Sequence, residues 1–303
     1  MQSPQLAREI RRGDRRALSK GITLVENQRQ GASQLLRSLK PPGHAFILGV
    51  TGPPGTGKST LVDRLIEPYR KRGLTVGVIA VDPTSPITGG ALLGDRIRMA
   101  SHAGDGGVYI RSMASRGWSG GLSRATSQVI QLMDAAGFDV ILLETVGIGQ
   151  SDIEVVSVSH AVLVVLMPGL GDDVQVSKAG LMEVGDVYVV NKADVEGSDS
   201  MVVSILGVVR SMKTRSPPVI KVSALTGEGL EKLGAAIEDV RLKFERGDLG
   251  LRLRSIKGMI LETAKWNMME RLGLVSGEKA DKLAQLVVGG KLTVDDAAAR
   301  LLR

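Results

Sequence analysis

Gly52-Pro53-Pro54-Gly55-Thr56-Gly57-Lys58-Ser59-Thr60 is the stretch on which the reading of this chain turns. It satisfies G-x-x-x-x-G-K-[ST], with an apolar run at residues 45–50 entering it and a helical pattern at 58–71 leaving it. Glycines in such a loop let successive backbone N–H groups curl around a phosphate, and the helix N-terminus adds its partial positive charge. Within the loop, Lys58 is expected to reach β/γ-phosphate oxygens and the Ser59 hydroxyl to ligate Mg²⁺. A strand, a phosphate-binding loop and a helix are thus read from nine residues and their flanks.

Working outward, short β-rich runs alternate with longer helical patterns. Strands are expected at 76–81, 108–111, 140–143, 161–167, 187–190 and 219–222, with helices at 123–136 and 200–212 among those between them. Continuous Val/Ile/Leu strands joined by helices predict an α/β fold of the P-loop NTPase type, a mostly parallel sheet with helices on both faces. Residues 1–43 read as an N-terminal helical extension ending at Pro41-Pro42-Gly43, residues 44–246 as the nucleotide domain, and residues 247–303 as a C-terminal helical segment.

The base is read from a second motif. Asn191-Lys192-Ala193-Asp194 follows the strand at 187–190 in the N-K-x-D arrangement. The Asp194 carboxylate can accept from guanine N1–H and the 2-amino group together. Adenine presents a lone pair at N1 and nothing at C2, so the carboxylate would be left unpaired. Lys192 is expected along the base plane and Asn191 between neighbouring loops. Ser223-Ala224-Leu225, after the strand at 219–222, fits a backbone contact to guanine O6. GTP and GDP are therefore the expected ligands, with Mg²⁺ as the cofactor.

Switch residues lie between these motifs. Glu144-Thr145-Val146-Gly147 ends the strand at 140–143, with Glu where most GTPases carry Asp. Glu144 is expected to reach Mg²⁺ through water and Gly147 N–H to sense the γ-phosphate. Ile148 follows in place of a water-orienting Gln, which predicts slow intrinsic hydrolysis, with Gln150 as a candidate substitute. Upstream, Asp82 and Asp95 are candidate Mg²⁺ or switch partners, and Arg98 a candidate for neutralising transition-state charge. The bland alternatives are a structural carboxylate at Glu144, a cap or turn at Asp82 and a solvated helix charge at Arg98.

Charge excludes more than it suggests. Net charge is +7, but residues 1–43 hold nine Lys and Arg against three Asp and Glu, and residues 241–303 hold 13 against eight. Residues 44–240 hold 17 against 21, so no basic groove crosses the main domain and nucleic acid is not an expected partner. The absence of cysteine excludes disulfides and thiolate chemistry. Residues 161–167 form the longest apolar run, far short of the roughly 18 residues of a membrane span. With no signal-peptide pattern at the N-terminus, a cytoplasmic protein is expected.

The run V-D-P-T-S-P-x-T-G-G-A-L-L-G-D-R-I-R-M from Val81, then E-T-V-G-I-G-Q-S-D from Glu144, then N-K-A-D, resembles the MeaB/ArgK/MMAA GTPases. These are G-protein chaperones of adenosylcobalamin-dependent methylmalonyl-CoA mutase. The resemblance implies a Mg²⁺-dependent GTPase, a homodimer held largely by C-terminal helices, and coupling of nucleotide state to cofactor loading, protection and repair of a mutase partner. It also implies a third mobile loop at residues 168–175 with Lys178, although Val176-Ser177 departs from the expected pattern. An alternative carried by some relatives is a GTP-dependent kinase of an arginine/ornithine transport protein. A metal-insertion GTPase is disfavoured, because the only histidines, His44, His102 and His160, are well separated.

Overall fold

The computed structural model describes residues 3–39, 44–82, 100–102, 104–114, 124–145, 151–169, 181–212, 215–289 and 291–301. Seven apolar runs form strands: β1 (Phe46–Thr51), β2 (Val76–Asp82), β3 (Val108–Ala114), β4 (Val140–Glu144), β5 (Ala161–Leu166), β6 (Val187–Val190) and β7 (Val219–Lys221). Every described pairing is parallel, in the order β3-β2-β4-β1-β5-β6-β7. The P-loop NTPase expectation, with helical extensions, is met. β3 runs three residues beyond the expected 108–111 because its ladder with β2 continues to the Asp82–Ala114 pair.

The helices are α1 (Ser3–Arg11), α2 (Arg15–Glu26), α3 (Ala32–Arg37), α4 (Lys58–Lys71), α5 (Arg124–Ala135), α6 (Ser151–Val158), α7 (Leu181–Val184), α8 (Ser198–Ser211), α9 (Leu230–Glu245), α10 (Leu249–Val288) and α11 (Val294–Leu301). Alternation along the strands explains why both sheet faces are covered. Phe46, Leu48, Val50, Val76 and Val78 share one core with Leu61, Val62 and Leu65 of α4 and Leu233 and Ile237 of α9. On the other face, Gly49 lies against Val155 and Ser159, and Gly77 against Met133 of α5. Strands buried on both faces must be apolar throughout, which is why these runs show no polar alternation.

This order places β1 between β4 and β5, so the loop after β1 opens where successive crossovers reverse direction across the sheet. Ligands of open parallel sheets bind at such switch points, beyond the carboxyl ends of the strands.

The described chain divides into two compact units, Met1–Gly258 and Met259–Arg303. In the first, Asp14 caps α2 by accepting from Ala17 N–H at 2.7 Å. Arg15 of α2 donates to Val108 O at 2.8 Å, and Glu26 pairs with Arg111 of β3, so the N-terminal helices are tied to the sheet edge. The opening turns of α10 are held by Arg254, which meets Asp186 at 2.8 Å, and by Ser255, whose hydroxyl donates to Val158 O at 2.7 Å. In the second unit, Thr293 caps α11 by accepting from Asp296 N–H at 3.1 Å, and Ile260, Leu261, Met268, Val288 and Val294 are exposed. Among the described residues, no helix is long and apolar enough to cross a membrane.

His160, just before β5, is part of the core. Its N–H donates to Ile47 O at 2.9 Å and its Nδ1 accepts from Ile47 N–H at 3.0 Å. Its ring lies against Phe46 and Phe244, with centroids at 6.1 and 4.2 Å. Burial, reinforced by Arg254 and Arg252, pushes its pKa from 6.5 down to about 3. The unfolded chain takes up this proton near pH 6.5, whereas the native state stays neutral to about pH 3. Stability from His160 is therefore complete above the unfolded pKa and is lost as pH falls toward the native one. Urea unfolding is expected to show a loss of about 2 kcal/mol from this residue between about pH 7.5 and about pH 5. His160→Asn, which keeps an acceptor but does not titrate, should flatten that part of the profile.

Candidate functional site

The loop after β1 is shaped by backbone positions that exclude side chains. Gly52 has φ +140°, and a Cβ there would lie 2.0 Å from Val165 O of the neighbouring strand. Gly57 has φ +86°, and a Cβ there would lie 2.5 Å from Asn191 Nδ2. Thr56 Oγ1 donates to Pro53 O at 2.9 Å, closing the turn. Lys58, buried, donates from Nζ to Gly52 O at 2.8 Å and Pro53 O at 3.0 Å. Its ammonium is thus held over the mouth of the loop by main-chain oxygens.

Two strand ends and the first turn of α4 bring oxygen donors beside this loop. Glu144 ends β4, in register with Val50 of β1 and Ala80 of β2. The Ser59 hydroxyl donates to Glu144 Oε1 at 2.6 Å, and both residues are buried. Asp82, buried at the end of β2, lines the same cleft of about 490 Å³ with Lys58, Ser59, Thr60, Glu144 and Lys192. A hydroxyl and two carboxylates are hard oxygen donors. Such a sparse set suits Mg²⁺, which keeps several waters and shares oxygens with a bound phosphate. The residues present fit the ion.

Asn191 joins the phosphate loop to the base loop. Its Nδ2 donates to Thr56 O at 2.7 Å and its Oδ1 accepts from Ala224 N–H at 3.0 Å. Lys192 adopts φ +59°, a left-handed conformation unusual for a side-chain-bearing residue and often retained where function over-determines the backbone. Asp194 is exposed, and the Ser223 hydroxyl, foremost, holds its carboxyl below the usual range. It is an anion at neutral pH, as acceptance from guanine N1–H and the 2-amino group requires. Ser223 and Ala224 are buried and Leu225 is exposed, so the tripeptide turns outward as it leaves the core.

Nine residues named from the sequence line one cleft: Pro54, Gly55, Gly57, Lys58, Ser59, Thr60, Asp82, Glu144 and Lys192. Val81 and Thr145 also line it, and their signal was adjacency to the strand-end carboxylates. Asp194 and the 223–225 segment are not among its lining residues and form the neighbouring base loops. Asp95, Arg98, Gly147, Ile148 and Gln150 lie outside the described residues, as do residues 170–175 of the third loop and Lys178. Sequence reasoning missed Arg64, which reaches the carbonyls of Ala224 and Leu225 from α4. Nothing in its sequence context marks it.

Asn191→Ala would leave the buried Thr56 carbonyl and Ala224 N–H without this partner. Urea unfolding is expected to show a loss of about 2 to 4 kcal/mol, with weaker nucleotide binding. Asp194→Asn, at an exposed position, is expected to leave the unfolding midpoint unchanged.

A family model described as Methylmalonyl Co-A mutase-associated GTPase MeaB matches residues 18–271. A protein of Pyrococcus abyssi (strain GE5 / Orsay) that carries a GTPase name is 51% identical over 249 residues, 80% of this chain and 77% of that one. The GTPase ArgK of Escherichia coli (strain K12) is 39% identical over 246 residues, 77% of this chain and 74% of that one. Among solved structures, a LAO/AO transport system kinase matches with a TM-score of 0.72 at 26% identity, covering 99% of this chain and 96% of that one. The chain therefore belongs to the MeaB/ArgK/MMAA family of methylmalonyl-CoA mutase-associated GTPases.

Proposed function

We propose that this protein is a Mg²⁺-dependent GTPase that serves as chaperone to an adenosylcobalamin-dependent acyl-CoA mutase of the methylmalonyl-CoA type. In this reading it works in the cytoplasm as a homodimer, and GTP binding and hydrolysis are coupled to cofactor loading, protection and repair of the mutase. The observation that carries the nucleotide reading is the Asn191 bridge. It holds the phosphate loop and the base loop at one spacing, as a single guanine nucleotide requires. Family membership supports the mutase as partner. The exposed apolar side chains of the second unit support self-association.

The residues divide the chemistry. Backbone N–H groups of Gly55–Thr60 cradle the phosphates, and Lys58 adds positive charge where the γ-phosphate is cleaved. Ser59, Glu144 and Asp82 would hold Mg²⁺, directly or through water, and the ion would supply positive charge to offset the negative charge developing in the reaction. Water attacks the γ-phosphorus and GDP leaves, with Asp95 and Arg98 proposed to complete the switch and the charge stabilisation. Ile148, not Gln, directly follows Gly147, so intrinsic hydrolysis is expected to be slow.

Purified protein should release phosphate from GTP and not from ATP, and removal of Mg²⁺ with a chelator should stop it. Lys58→Ala should lower the rate by on the order of a hundredfold. In parallel captures from source lysate with a nonhydrolysable GTP analogue and with GDP, a cobalamin mutase should be recovered in one state. Equal recovery in both would show the coupling to be wrong. Labelled γ-phosphate on a protein acceptor would instead favour the kinase alternative.

A further inference from the structure

Arg64 stands five residues after Ser59 on α4, where the helix has left the phosphate loop. Its guanidinium crosses to the base loop: Nε–H donates to Ala224 O at 3.0 Å and Nη2 to Leu225 O at 3.1 Å. Most amides of that loop are already engaged. Ser223 N–H donates to Glu228 O at 2.9 Å, Ala224 N–H to Asn191 Oδ1 at 3.0 Å and Thr226 N–H to Ser223 Oγ at 3.2 Å. Among the described residues, Leu225 N–H has no such acceptor, and Leu225 is 74% exposed.

The Leu225 N–H shares a peptide plane with the Ala224 carbonyl. No cis peptide occurs in the described chain, and a trans plane points its C=O and N–H in opposite directions. A guanidinium that holds Ala224 O therefore also sets the direction of Leu225 N–H. By polarising the carbonyl it makes that N–H a better donor. We propose that Arg64 is a positioning residue for base recognition, presenting Leu225 N–H to the O6 carbonyl of guanine. This rests on the guanine reading above and adds the group that aims the 6-position contact.

Two side chains then divide the edge of the base. Asp194 addresses N1–H and the 2-amino group, while Arg64, through Leu225, addresses position 6. Hypoxanthine keeps the 6-carbonyl and lacks the 2-amino group, so it separates the two contacts. Adenine carries an amino group at position 6, whose hydrogens would face the same N–H. An arginine suits the task because its planar fork spans two successive carbonyls, whereas a lysine offers one compact charge.

The test measures dissociation constants for GDP and IDP in the wild type, Arg64→Ala, Arg64→Lys and Asp194→Asn, with kcat for GTP at saturation. Arg64→Ala is expected to weaken GDP and IDP by the same factor, roughly five- to tenfold. Its kcat should match the wild type, and Arg64→Lys should recover part of both affinities. Asp194→Asn should instead narrow the preference for GDP over IDP. Wild-type affinities in Arg64→Ala, a loss that spares IDP, or a loss of kcat alone would overturn the role of Arg64. An unchanged GDP-to-IDP preference in Asp194→Asn would overturn the guanine reading itself, and with it this proposal.

Discussion

The carboxamide of Asn191 is buried, and both its ends are bonded to main-chain groups of other loops. One partner, Thr56, lies 135 residues away in sequence, and the other, Ala224, lies 33 residues away. A buried amide with a missing partner bears the uncompensated desolvation cost of each unmade bond, so the three loops are held to one spacing. Gly57 is part of the same constraint, because a Cβ there would occupy the place of the Asn191 nitrogen. The parallel sheet makes the arrangement possible: β1, β5 and β6 are adjacent in order and deliver the phosphate loop and the N-K-x-D segment to the same edge.

Around this bridge the electrostatics are set by strand ends. Lys58 is steadied by carbonyl oxygens of its own loop, and the Ser59 hydroxyl by Glu144. Donors and acceptors that a phosphate and a divalent ion would use are thus positioned by the protein beforehand. Such preorganisation lets the site meet charge without rearranging at the moment of reaction. The longer side chain of Glu144, against the Asp of most GTPases, spans the distance from the end of β4 to the Ser59 hydroxyl.

Much of the fold and the phosphate site was legible because the signals are local. A glycine loop between an apolar strand and a helix carries its own geometry, and α4 occupies the expected residues 58–71. Asp82, Glu144 and Lys192 were legible as strand-end residues, and they line one cleft. Arg64 was not legible, since its partners are carbonyls about 160 residues away, which any residue type could have supplied. His160 looked like an isolated histidine. Its low pKa comes from burial, foremost, and from Arg254 and Arg252, far along the chain.

From the order of residues alone came the strand–loop–helix unit, the guanine-type base motif and the alternation of an α/β chain. Each depends on contacts between near neighbours or on backbone freedom at single positions. Only the tertiary structure decided the strand order, the packing of the N-terminal helices on α5 and the convergence of three loops on Asn191. It also decided which peptide plane Arg64 holds. Those outcomes depend on contacts between distant residues, and the register of a buried sheet, not any local pattern, brings them together.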